Sequence, residues 1–148
     1  VIVASEWTGE STVDGEDRVE LFIAQDESLA DYWCLEIDAA GRVHDYHARP
    51  DRQFNNDWKC AGLETSARRT AAGYEVQGTV PLATLASLLG RPIHRGSEIH
   101  LGLFRADFSG ASPETRGAAN DNWISWVRPA TQRPDFHVPS AFRVFRLP

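Results

Sequence analysis

The sequence predicts an all-β fold, an antiparallel β-sandwich of jelly-roll or immunoglobulin-like type with one short helix. Three observations predict it. Runs of apolar–polar alternation with a period of two recur along the chain, separated by turn residues. DAAGRV at 38–43 and TAAGYEV at 70–76 read as tight hairpin turns between such runs, with Gly73 supplying the permissive backbone in the second. Only PLATLASLLG at 81–90 makes a good helix candidate.

Taken in order, strands are expected at residues 1–7, 17–25, 32–39, 42–48, 60–70, 73–80, 97–108, 123–128 and 141–147. In the second, Val19, Leu21 and Ile23 point one way, while Glu20, Phe22 and Ala24 point the other. The third repeats the pattern, with Trp33, Leu35 and Ile37 opposite Tyr32, Cys34, Glu36 and Asp38. In the helix, Pro81 suits the first turn, Leu82, Leu85, Leu88 and Leu89 share one face, and Gly90 ends it. So short and apolar a helix is expected to plug the sheet edge. Residues 109–122 are the longest irregular stretch, of a length that often carries function. At the end, Pro139 bends the chain so that Phe142, Val144 and Arg146 face one side and Arg143, Phe145 and Leu147 the other. His137 is expected to bond within that corner.

The 148 residues fit one domain, 1–148, with a sizeable core. A net charge of −6 argues against a nucleic-acid partner, which needs a basic surface. No apolar stretch is long enough to span a membrane, and no signal peptide opens the chain. Its strand-like start without methionine suggests a processed or trimmed product. Cys34 and Cys60 form either one disulfide or two buried thiols, the second favoured because both lie in strand-like runs. The five tryptophans suit a core, and they also suit stacking on flat apolar ligand faces.

A carboxylate between apolar neighbours on a sheet face is costly unless it is paired or faces a ligand. Neighbouring strands here place Glu20, Tyr32 and Glu36 on one surface. Acceptors for hydroxyls beside a flat partner for C–H faces are what a neutral polyol requires. The same residues also suit a salt-bridged outer face closed by Arg18, Arg42 or Arg105, and on the sequence both readings stand. His44 and His47 lie three apart in a strand, face opposite sides, and so cannot share a metal. The acidic loops DGED at 14–17 and QDESLAD at 25–31 offer oxygens of the calcium-binding kind, without a strict spacing. No GxSxG, HExxH, P-loop or GxGxxG occurs. Glu20 and Glu36 make a carboxylate pair of the type used in glycoside hydrolysis, but an open sheet face supplies no pocket to raise a pKa.

In order, DRVELFI, YWCLEIDAAGRVHD, GYEVQGTVPLATL, IHLGLFRADF, WISWVRP and DFHVPSAFRVFRL resemble the successive motifs of the family 9 carbohydrate-binding modules. More closely, they resemble the family-9-like domains of the wider DOMON-like group, and the likeness runs from Asp17 to nearly the end. It implies a β-sandwich, often stabilised by calcium and appended to secreted or surface glycan-degrading enzymes, here lacking the family's N-terminal segment. In the sugar-binding members two tryptophans clamp a terminal sugar while polar residues fix its hydroxyls. Glu20 matches the Glu of the D-x-V-E motif. Asp14 stands where one clamp tryptophan falls, Phe136 stands where the other does, and Glu36 replaces an arginine on the next strand. Trp123 and Trp126 match a W-x-x-W element that is more often structural than ligand-contacting. Haem-binding DOMON relatives use a Met/His pair, and this chain has no methionine.

The expected function is a non-catalytic carbohydrate-binding domain that works by aromatic stacking and hydroxyl hydrogen bonds. Glu20 and Phe136 lead the candidate site, followed by Tyr32, Glu36, Trp58, Arg105 and Trp126. The resemblance adds structural calcium, a carbohydrate partner, and a place in a larger secreted, periplasmic or cell-surface protein. The alternative is a structural or interaction sandwich that has lost its sugar, favoured by the missing first tryptophan. A glycan-active enzyme would need a deep cleft between Glu20 and Glu36.

Overall fold

The alternation of the central runs decides the architecture, because each run sends one set of side chains to either face of a sheet. A computed structural model describes residue 13 and residues 17–71, 73–108, 122–133 and 135–148. The strands are β1 (Arg18–Ala24), β2 (Tyr32–Asp38), β3 (Val43–Arg49), β4 (Gln53–Asn55), β5 (Glu64–Thr70), β6 (Gly73–Thr79), β7 (Glu98–Asp107), β8 (Asn122–Ser125) and β9 (Arg143–Arg146). The helix α1 spans Leu82–Leu89. The strand expected at 1–7 and the irregular stretch from 109 to 121 fall outside the described residues.

The larger sheet is antiparallel, in the order β4-β3-β2-β1-β7-β8. On the far side of β7, β8 pairs with its second half (Phe104–Asp107) and β9 with its first (Glu98–Leu101). The β5–β6 hairpin forms the second sheet of the sandwich. The register fixes the site: Glu20 lies opposite Glu36 across β1–β2, and opposite Phe104 across β1–β7. Both expected hairpins form. Asp38 closes the first, its carboxylate accepting from the N–H groups of Ala40 and Arg42, each at 2.9 Å. Gly41 turns there with φ +83°, and Gly73 opens β6 with φ +145°, both conformations that L side chains resist. β4 was not expected, since three residues are too few to show alternation.

One face of the sheet carries Ile23, Trp33, Leu35 and Ile99, on which Leu85 and Leu89 of α1 close together with Cys60. The helix therefore covers the middle of a sheet face rather than plugging an edge. Four leucines within two turns need more apolar area than an edge offers, although Leu82 stays exposed. The hairpin covers the same face further along, where Gly78 lies against Ile37 and Tyr74 stacks on Arg105. The other face carries Phe22, Ala24, Tyr32, Cys34, Tyr46 and Phe104. Its cover is the connection between β8 and β9, through Phe136, Ala141 and Phe142.

Cys34 and Cys60 thus sit on opposite faces of the sheet, both buried and both free. Cys60 precedes β5, in a turn closed by Leu63 N–H to Cys60 C=O, rather than within a strand. Burial pushes both thiols up, Cys34 well above its ordinary value. Both cysteines should react with a thiol reagent only after unfolding, and a reductant should leave Tm unchanged. A Tm that falls on reduction would reveal a crosslink and overturn this placement.

Candidate functional site

Alternation along β1 and β2 sets Arg18, Glu20 and Glu36 side by side on the face beneath the β8–β9 connection. Two carboxylates directly opposite each other across a strand pair repel. Arg18 relieves this, its Nε lying 2.8 Å from Glu20 Oε1 and 2.8 Å from Glu36 Oε2. All three side chains are buried. Tyr46 donates its hydroxyl to Glu36 Oε1 at 2.8 Å, and the His44 ring lies 3.8 Å from Oε2. Burial pushes the Glu36 carboxyl up, but His44, the charge of Arg18 and the Tyr46 hydrogen bond together hold it below its ordinary value. The Arg18 guanidinium also sits over the rings of Trp123, at 5.4 Å, and Phe108, at 5.7 Å.

The connection supplies the opposite wall. Asp135 Oδ1 accepts from Arg52 Nη2 at 2.9 Å and from the His137 backbone N–H at 3.0 Å. Arg52 holds this position with a left-handed backbone, φ +56°, a conformation of the strained kind found at binding sites. Phe136 lies flat on Phe104, with centroids 4.1 Å apart and planes 12° apart, and meets Trp123 edge-on. Gly102 permits the stack: a Cβ there would fall 2.5 Å from the Phe104 ring. His137 bonds within its corner, as expected, through that backbone N–H, and its ring reaches further, to the β2 side chain of Tyr32, with Oη 3.0 Å from Nδ1. Burial holds the Tyr32 phenol well above its ordinary range. Burial and the nearby Arg52 push the His137 pKa down to about 4.

Between these walls opens a depression of about 270 Å³, floored by Arg18, Glu20 and Glu36 and rimmed by Arg52, Trp123, Asp135, Phe136 and His137. It presents carboxylate acceptors, guanidinium donors and apolar rings within reach of one another, a set that can hold a polyhydroxylated ligand. The structure brings Glu20, Glu36 and Phe136 together here and places Tyr32 directly behind, bonded to His137. It does not bring the remaining candidates. Trp58 packs with the cluster on the other sheet face. Arg105 also lies there, pairing with Asp107 at 3.0 Å. Trp126 lies beyond β8 on that face, 42% exposed and beside Phe145. The sequence reading offered Arg18 only as a salt-bridge partner of the carboxylates, which it is, placed His137 in the corner, missed Arg52 and Asp135, and treated Trp123 as structural. One signal was available: tryptophans three apart in a strand face opposite sides, so only one of Trp123 and Trp126 can share the face of Glu20. Among the described residues no group of three or more His, Cys, Asp or Glu side chains is placed to hold a metal. Asp14, at the position of a clamp tryptophan, lies outside the described residues, as do the other members of its acidic loop up to Glu16.

No family model matches the chain, and no curated protein sequence does. A solved structure similar to it is that of a "putative carbohydrate-binding protein" from Bacteroides uniformis, with a TM-score of 0.64 and 13% identity. The similarity covers 92% of this chain and 63% of the other, so the chain spans less than two thirds of that protein's length. At this identity the likeness is one of fold.

Two outcomes follow from the geometry. Replacing Arg18 by Met leaves Glu20 and Glu36 opposed in a buried setting, and should lower the unfolding free energy by about 3–5 kcal/mol. Adding Glu20→Gln and Glu36→Gln to that variant should restore most of the loss. Urea unfolding at neutral pH measures both, and an undiminished single variant would refute the bridging role of Arg18. His137 is depressed from an ordinary 6.5, so the unfolded chain binds its proton first. Its contribution is full above about pH 6.5 and declines as pH falls towards 4, by about 3 kcal/mol. His137→Asn should flatten the stability profile between pH 6.5 and 5, above the range where the depressed Glu36 carboxyl adds its own loss; equal slopes in both proteins would contradict this.

Proposed function

We propose that the chain is a non-catalytic carbohydrate-binding domain of the family-9-like type, and that its sugar sits in the depression over Glu20. The observation that carries the proposal is the buried Arg18–Glu20–Glu36 cluster opening into an aromatic-rimmed depression. Burying such a cluster costs more than burying hydrophobic isosteres would, so its presence beneath an opening supports a use beyond stability. In this reading the carboxylates offer hydroxyl donors the lone pairs left beside Arg18, Tyr46 and His44, while Trp123 and the edge of Phe136 offer apolar surface to C–H groups. Glu20 occupies the site position implied by the D-x-V-E motif, and the similar fold of the Bacteroides protein supports the same reading. Affinity should be modest, because the depression is small and open.

The same groups argue against glycoside hydrolysis. That reaction needs a carboxylic acid kept protonated by a raised pKa. Glu36 is held low instead, and one guanidinium bridges both carboxylates.

A second reading, a sandwich retained for structure or interaction after losing its sugar, is favoured by Phe136. Only 8% of it is exposed, and one ring face is spent on Phe104. Isothermal titration against mono- and oligosaccharides separates the two. The sugar reading expects saturable heat that falls at least tenfold in affinity for Glu20→Gln and for Trp123→Ala, both checked for folding by circular dichroism. Absence of heat with every sugar would favour the second reading.

A further inference from the structure

A second depression, of about 340 Å³, adjoins the first and shares Trp123 and Phe136 with it. Its chemistry is different. In the first, Arg18 and Arg52 are each paired with carboxylates. The second is bordered by Arg128 and Arg133, by Ser125, Thr131 and Gln132, and by no described carboxylate. Neither arginine has an ion-pair partner among the described residues, and the Thr131 and Gln132 side chains make no hydrogen bond there. Among the described residues, two guanidinium groups therefore lack a compensating carboxylate at one spot of a chain whose net charge is −6.

The segment that carries them is held in place. Ser125 Oγ donates to the Val127 carbonyl just past β8. The Ala130 N–H donates to Ser140 Oγ at 2.9 Å, and beyond Arg133 the Asp135–Arg52 pair anchors the chain again. Guanidinium forks on an anchored segment match the paired oxygens of a carboxylate or a sulfate. The wall of Trp123 and Phe136 excludes water on one side and strengthens such a pairing.

We infer that this second depression is a subsite for an anionic sugar unit, bearing a carboxylate or a sulfate, next to the unit held over Glu20. The inference rests on the sugar reading of the first depression, and it names the ligand class as acidic oligosaccharide. The shared walls of Trp123 and Phe136 set the two units side by side. The general field of an acidic chain repels such a ligand, so selection is local to Arg128 and Arg133 and weakens with salt.

The test is calorimetry of the whole chain with three oligosaccharides of equal length: neutral, uronate-containing and sulfated. The inference expects at least one acidic ligand to bind about tenfold more tightly than the neutral one at low salt. Which acidic ligand gains the advantage tells carboxylate from sulfate. The advantage should shrink in half-molar sodium chloride and vanish in Arg128→Gln/Arg133→Gln, whose affinity for the neutral oligosaccharide should be unchanged. Equal affinity for all three ligands would overturn the anionic subsite while leaving the sugar reading intact. An acidic preference that survives the double substitution would place the subsite elsewhere and overturn it as well. No binding of any ligand would overturn both readings together.

Discussion

Glu20 and Glu36 face each other across β1 and β2, and the face of the sheet that carries both depressions is organised by what that opposition demands. Antiparallel pairing puts the two carboxylates within repelling distance. Burial removes the water that would otherwise screen them. A cation must stand between them, and Arg18 is the one that alternation delivers, two residues from Glu20 on the same face. Once there, its guanidinium has its planes committed to Trp123 and Phe108, which fixes Trp123 as the wall between the two depressions. The electrostatic solution and the shape of the site are one arrangement.

The two faces of the larger sheet are finished in different ways. The face of Ile23, Trp33 and Leu35 receives a helix whose leucines close it as a core, with the hairpin lying further along. The face of Glu20 receives only the connection between β8 and β9. That connection brings Phe136 and Phe142 to the apolar half, and Asp135 and His137 to the half where the charges lie. An irregular segment over a polar patch cannot pack as densely as a helix over leucines. The openings therefore form on this side.

Phe136 joins the two halves. It stacks on Phe104 as part of the core, and its edge borders both depressions. His137 works similarly one residue on, reaching Tyr32 in the core while lining the rim. The corner is thus both a structural closure and a site wall. Its two aromatic residues meet the sheet through contacts made by residues far apart in the chain, 105 positions apart for Tyr32 and His137.

Alternation in the sequence determined the sandwich class, the two main hairpins, the helix and the face shared by Glu20, Tyr32 and Glu36. These are local properties: a period of two and a few turn residues specify them whatever the rest of the chain does. Tertiary structure alone decided that Arg18 bridges the two carboxylates, that Trp123 and not Trp126 meets the site, that Trp58 and Arg105 lie on the other face, and that Arg52 and Asp135 close the rim. The physical reason is register and long-range closure. Which residues stand opposite one another depends on how strands pair and where a connection folds back, and neither leaves a periodic trace in the chain.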